Sequence, residues 1–235
     1  MRNDNVYTFV YAGAICLVCS ILLSLAATGL KPMQEANQKL DVRKNIMLSL
    51  GVIERDTSKT AVELNSMFEN QVQGLVFDAE GKILEGMTPE ELTEKDAGKR
   101  FALFRKVVDG QVVGFSFPIV GKGLWSTLKG YLALGADADT VLGITFYSHG
   151  ETPGLGAEID QPWFQNNFVG KKVRDANDRI VSVTVAKGKA VDSGKPIEHV
   201  VDGISGATIT ANGVTEMVRK ALMQYEPYFS RIRGS

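Results

Sequence analysis

Residues 5–30 carry no charged side chain, and from Val6 onward they are mostly Val, Ile, Leu, Ala, Phe and Tyr. About 20 such residues suffice to cross a hydrocarbon core. In that medium a single segment can satisfy its own backbone only as a helix. Residues 6–30 are therefore read as a transmembrane helix, preceded by a short N-terminal segment, 1–5. A cleaved signal peptide is the competing reading, with Ser24-Leu25-Ala26 as a small-x-small cleavage site. The n-region is nearly neutral, Arg2 against Asp4, and the apolar run exceeds the roughly 7–15 residues of a signal core, so the retained helix is preferred. Tyr7 and Tyr11 suit an interfacial belt. No carboxylate lies in the run to mark an ion path.

Cys16 and Cys19 form a C-x-x-C inside this run. In an apolar medium a thiolate is scarce, so the pair reads as small lipid-facing or packed side chains. No other cysteine occurs, so the remainder has neither a disulfide nor a thiolate metal cluster of its own. His149 and His199 stand singly, without ligand spacing, so no metal site is expected. The net charge is −1 and acids and bases are interspersed. Without a basic stripe, a nucleic-acid partner is excluded.

Beyond the apolar run, Pro32 can begin a new helical segment. Leu40, Ile46, Met47 and Leu50 then give a partly amphipathic stalk, 31–50, that stops at Gly51. Residues 51–235 are read as one domain. A second helix is expected over 60–71, with Thr57 or Ser58 as cap. Residues 74–77 and 82–84 flank Ala79-Glu80-Gly81 as a hairpin-like pair. Residues 87–99 are polar, with a helix start at Thr88-Pro89-Glu90, and read as an exposed excursion. Residues 101–108 and 112–119 flank Asp109-Gly110, a dipeptide favoured in tight primed turns. Residues 131–134 and 141–147 form a third pair around Ala136-Asp137-Ala138-Asp139. A short helix is expected near Trp163 and Phe164, and a strand over 180–186. Strand pairs with helices grouped apart point to an α+β class.

The chemistry concentrates near the C-terminus, in Asp202-Gly203-Ile204-Ser205-Gly206-Ala207-Thr208-Ile209-Thr210. After it, Val214, Met217, Val218, Ala221, Leu222 and Tyr225 follow the spacing of a helix with one buried face. A glycine turn feeding a helix N-terminus offers unpaired N–H groups and the positive end of the helix dipole, both of which favour phosphate. Thr208 and Thr210 place hydroxyls there. The plainer reading is a strand–turn–helix junction with hydroxyl caps. No G-x-x-x-x-G-K-[ST] loop is present to hold a nucleoside triphosphate.

Ser205-Gly206-Ala207-Thr208 after Asp202-Gly203 resembles the flavinylation motif of the FMN-binding domain family. Gly150-Glu151-Thr152-Pro153-Gly154-Leu155-Gly156 resembles the Glu-Thr-Pro-Gly-Leu-Gly loop of the same family. Gly121-Lys122-Gly123-Leu124-Trp125 resembles a segment of one branch, the C subunits of Na+-translocating NADH:quinone reductases (Nqr). The three motifs fall in the family's order, and the resemblance extends from the apolar run to about Phe229.

The resemblance implies an FMN joined through its phosphate to Thr208, with Ser205, Gly206 and Ala207 as the phosphate anchor. Gly154 and Gly156 would let backbone approach the flavin. Thr152 belongs to the same loop, Glu151 could accept hydrogen bonds, and Leu155, Leu124 and Trp125 could touch the ring. Asp202 would orient the turn or assist recognition, and Lys187 would face the flavin or its phosphate. A separate Mg²⁺-dependent flavin transferase would make the bond from FAD. No catalytic residue of the chain's own is expected.

The implied role is electron relay among the A, B, D, E and F subunits of Nqr, from a membrane iron–sulfur site to the FMN of the B subunit, with B, D and E as neighbours. Lys31, Lys39, Arg43 and Lys44 follow the span, while only Arg2 precedes it, which by the positive-inside rule would put the domain in the cytoplasm. The resemblance implies the opposite: a bacterial inner-membrane protein with a periplasmic domain. Two alternatives stand beside it. One is the corresponding G subunit of the Rnf ferredoxin:NAD complex, against which Leu124-Trp125 argues. The other is a non-redox anchored assembly protein.

Overall fold

A computed structural model of the chain describes residues 2–234, with side chains of 2–5 and of Glu94 left aside. It divides into two compact units, 1–41 and 42–235. Helix α1 runs Arg2–Ser49. Over residues 6–30 every side chain is exposed, with Phe9 at 78% and Leu23 at 71%. An apolar helix that nothing in its own unit covers is a candidate membrane span. Pro32 does not open a new helix as expected; it lies inside α1. The expected N-terminal segment 1–5 starts at Met1, outside the described residues, and Arg2 is already helical.

In the second unit, the last turn of α1 is part of the core, since Ile46, Met47 and Leu50 are buried. Gly51, at φ +60, ends that helix as expected. The Lys106 ammonium donates to the carbonyls of Leu50 and Gly51, a cation on the negative end of the dipole. Helix α2 (Ala61–Gln71) buries Leu64 and Phe68. Its cap is Thr60 rather than Thr57 or Ser58. Thr60 and Glu63 make a reciprocal capping box, which the S/T-x-x-E spacing satisfies only from that threonine.

The sheet is a five-stranded antiparallel meander in the order β1-β2-β3-β4-β5. Its strands are β1 (Val72–Asp78), β2 (Arg100–Val108), β3 (Gln111–Lys122), β4 (Thr127–Gly135) and β5 (Val141–Ser148). Asp109 and Gly110 both have positive φ, the primed turn their sequence favours. The pair expected around Glu80 forms as a short hairpin on the edge of β1 away from β2, with one bridge, Phe77 to Ile83, and the amides of Asp78 and Leu84 donating to the carbonyls of Lys82 and Val76. Residues 87–99 form the expected polar excursion, with a 3₁₀ turn over Pro89–Glu91. A short helix, α3 (Pro162–Asn166), carries Trp163 and Phe164. The strand expected over 180–186 shrinks to β6 (Thr184–Val185), which pairs in parallel with β7 (Val200–Val201). Ser182 at φ +65 breaks the extended run before it.

Helix α4 (Thr208–Arg233) closes the sheet. Its apolar face is buried at every expected position from Val214 to Tyr225 and on through Tyr228 and Phe229. Phe117 of β3 stacks on Tyr225 at 4.3 Å, and the Tyr225 hydroxyl donates to the Ala102 carbonyl at 2.7 Å. Each buried aromatic side chain of this seam contributes roughly 2 kcal/mol. The class is α+β, as the sequence pattern predicts.

Candidate functional site

Three segments meet at one end of α4. The first is the turn 123–126 linking β3 to β4, closed by the Gly123 N–H to the Ser126 carbonyl at 2.8 Å. The second is the loop after β5, where the amides of Leu155 and Ala157 both donate to the Thr152 carbonyl. The third is the turn at Ser205 and Gly206, with Gly206 at φ +72, running into α4. Between them lies a cleft of about 280 Å³.

The cleft has an apolar rim and a polar end. Leu124, Trp125, Leu155 and Ile209 line it while remaining 47%, 71%, 43% and 57% exposed. At the polar end α4 begins directly at Thr208. No side chain caps it, and its first turn holds no acid. Helix starts leave N–H groups without intrahelical partners, so this one keeps its positive end for an outside anion. The Thr208 side chain is exposed and lines the cleft.

Glu151 organises the walls. It is 5% exposed and accepts four hydrogen bonds. Trp125 and Ser126 amides donate to Oε1 at 2.9 and 3.2 Å. The Leu124 amide and the Thr210 hydroxyl donate to Oε2 at 3.1 and 2.6 Å. Burial pushes this carboxyl up, but the bonds from Thr210, Trp125, Leu124 and Ser126 outweigh it and hold it below the usual glutamate value. Glu151 is thus an ionised strut. Its amide donates to His149 Nδ1 at 3.3 Å, which leaves Nε2–H to face Asp160 at 3.2 Å.

The structure brings most of the expected residues to the cleft: Leu124, Trp125, Glu151, Thr152, Leu155, Gly156, Gly206, Ala207, Thr208 and Thr210 all line it. Thr210, however, does not offer its hydroxyl to a phosphate. It is 1% exposed and committed to Glu151. Ser205 and Gly154 sit at turn positions outside the cleft walls. Asp202 accepts from the Ala190 amide at 2.8 Å and pairs with Lys189 at 2.7 Å. The Ala190 amide, then Lys189, keep its carboxyl below the usual range. It ties the loop after β6 to the approach of the motif. Lys187, exposed on that loop, does not reach the cleft, and the lysine that engages the motif is Lys189. Ile209 also lines the cleft, a position no sequence pattern marks because the helical periodicity is legible only from Val214 onward.

A sequence model of the FMN-binding domain family matches residues 123–223, which span all three segments. The C subunit of the Na(+)-translocating NADH-quinone reductase of Haemophilus ducreyi is 36% identical, the match covering 94% of this chain and 91% of that protein. The chain belongs to this family of reductase C subunits. Its counterpart in Pseudomonas aeruginosa is 33% identical, covering 92% of this chain and 91% of that protein. The crystal structure of the C subunit from Parabacteroides distasonis superimposes with a TM-score of 0.74 at 32% identity, over 86% of this chain and 97% of that one. Membership of the C-subunit family thus rests on nearly the whole chain, whereas the FMN-binding domain match covers residues 123–223.

Proposed function

We propose that this chain is the membrane-anchored flavin subunit of a Na+-translocating NADH:quinone reductase and carries FMN as a phosphoester on the Thr208 hydroxyl. The observation that carries the reading is the uncapped start of α4. Of the hydroxyls in the motif, Thr208 alone is both exposed and on the cleft wall, since Thr210 is committed to Glu151 and Ser205 lies outside. The residues fit the group. N–H groups at the helix start would hold the phosphate, and Leu124, Trp125, Leu155 and Ile209 offer apolar walls to the ring. A bound flavin supplies reversible one- and two-electron chemistry.

Threonine is a weak nucleophile without a partner base, and His149 is engaged with Asp160 and the Glu151 amide. The family resemblance implies a separate Mg²⁺-dependent flavin transferase, and the lack of a partner base at Thr208 is consistent with one. The Thr208 oxygen would bond to the FMN phosphorus of FAD, the pyrophosphate link would break, and AMP would leave, with the hydroxyl proton passing to the leaving phosphate or to solvent. In this reading residues 6–30 span the bacterial inner membrane, 31–50 form the stalk, and 51–235 form a periplasmic flavin domain. The chain would relay electrons from a membrane iron–sulfur site to the FMN of the B subunit. The B, D and E subunits would be its neighbours in an assembly with A and F. NADH oxidation, quinone reduction and the Na+ path would belong to those partners.

The test is the intact mass of the full chain coexpressed with a flavin transferase. A gain of FMN less one water, kept through denaturation and absent in Thr208→Ala, is expected. An unmodified mass, with the transferase active on a control substrate, would sink the proposal.

A further inference from the structure

Resting on the reading of this cleft as the flavin site, we propose that Glu151 is its positioning residue. Its carboxylate bolts the turn at 124–126 to the first turn of α4, so that the apolar wall and the phosphate end stand at a fixed spacing before any flavin arrives.

Three consecutive amides of one turn and a hydroxyl from a helix 59 residues away converge on two oxygens. Those four donors fill the acceptor directions of an ionised carboxylate, and charge-assisted bonds of this kind are the stronger class. The neighbouring backbone is cut to admit the group. A Cβ on Gly123 would sit 2.5 Å from Glu151 Oε1. A Cβ on Gly156 would sit 2.6 Å from Thr210 Oγ1 and 2.9 Å from Glu151 Oε2. Each of the three sequence motifs therefore contributes an atom to the bolt: Gly123 with the 124–126 amides, Glu151 with Gly156, and Thr210. Because the carboxylate is saturated by the protein, it acts on the cleft through what it holds and not by touching a ligand.

Glutamine at 151 would turn one acceptor oxygen into an NH₂ facing backbone N–H groups, leaving at least one buried donor unmatched. Thr210 gives a sharper discrimination. Thr210→Val keeps the shape and removes the hydroxyl, while Thr210→Ser keeps the hydroxyl and removes the methyl.

The experiment uses the full chain in detergent micelles and has two arms. In the flavin-free arm, amide hydrogen exchange is followed at Leu124, Trp125 and Ser126, with 132–134 of β4 as an internal control for folding. Exchange at the turn is expected to rise on the order of tenfold in Glu151→Gln and several-fold in Thr210→Val. Thr210→Ser should match the wild type, and the control amides should not change. Unchanged turn amides in Glu151→Gln, or Thr210→Ser as loose as Thr210→Val, would overturn the proposal.

In the second arm the same proteins are incubated with FAD, Mg²⁺ and a flavin transferase. Slower attachment in Glu151→Gln, with an altered flavin absorption band and altered quenching by Trp125, is expected. Normal loading with an unchanged spectrum, despite loosened amides, would show that the carboxylate holds the turn but does not position the cleft. A wild type that takes no flavin would sink the functional reading alone. The amide results would then decide by themselves whether Glu151 holds the two walls together.

Discussion

Replacing Glu151 by Gln removes a buried charge from four donors, and its pH dependence has a definite sign. The folded chain holds this carboxyl below its ordinary value. Its contribution is therefore complete above the unfolded glutamate value of about 4.3, and is lost as pH falls through the lower folded value. Near neutral pH the variant is expected to be about 2 kcal/mol less stable to urea. That gap should stay constant from neutral pH down to about 5 and narrow as pH falls below the unfolded glutamate value of about 4.3. A gap that widens in acid would refute the assignment of an ionised Glu151. Gly156→Ala should cost about 2 kcal/mol by overpacking, since its new Cβ lands on Thr210 and Glu151 together. Combining Gly156→Ala with Thr210→Ser leaves the clashing oxygen in place, so no rescue is expected in a double-mutant cycle.

Helix α4 has a stabilising seam and a functional tip, and substitutions should separate the two. Phe117 is fully buried and stacks on Tyr225, so Phe117→Ala is expected to cost about 4 kcal/mol in chemical denaturation. Trp125 is 71% exposed, so Trp125→Ala should move stability by less than about 0.5 kcal/mol while changing the spectrum of an attached flavin. Much of this element was readable in advance. Its buried face has the period of a helix, and the β2–β3 turn has a dipeptide whose backbone preference is local. The start of α4 was not readable in the same way. Thr208 to Gly213 lacks an apolar stripe because Thr210 is buried for a hydrogen bond and Ile209 faces the cleft. The short β6 escaped for a related reason: one left-handed residue, Ser182, ends an extended pattern that composition alone would continue. The Lys189 pairing depends on a loop path that side-chain type does not encode.

At the scale of the molecule, the two units differ in what covers them. Unit 42–235 contains its own core, including the buried end of α1. A fragment starting at Val42 is expected to be monomeric without detergent and to melt at the temperature of the full chain, as judged by gel filtration and circular dichroism. Aggregation of that fragment would show that residues 1–41 contribute to folding. The full chain should need detergent, because residues 6–30 present exposed apolar side chains along the whole helix. As the membrane anchor proposed above, that bare helix would also change how the chain meets anything else in the same bilayer. A freely dissolved domain encounters partners according to bulk volume, and dilution separates them. A chain held in a sheet of lipid would search an area instead, and could not be lost to the bulk. For the proposed subunit, that confinement would favour assembly with partners held in the same sheet over loss to solution.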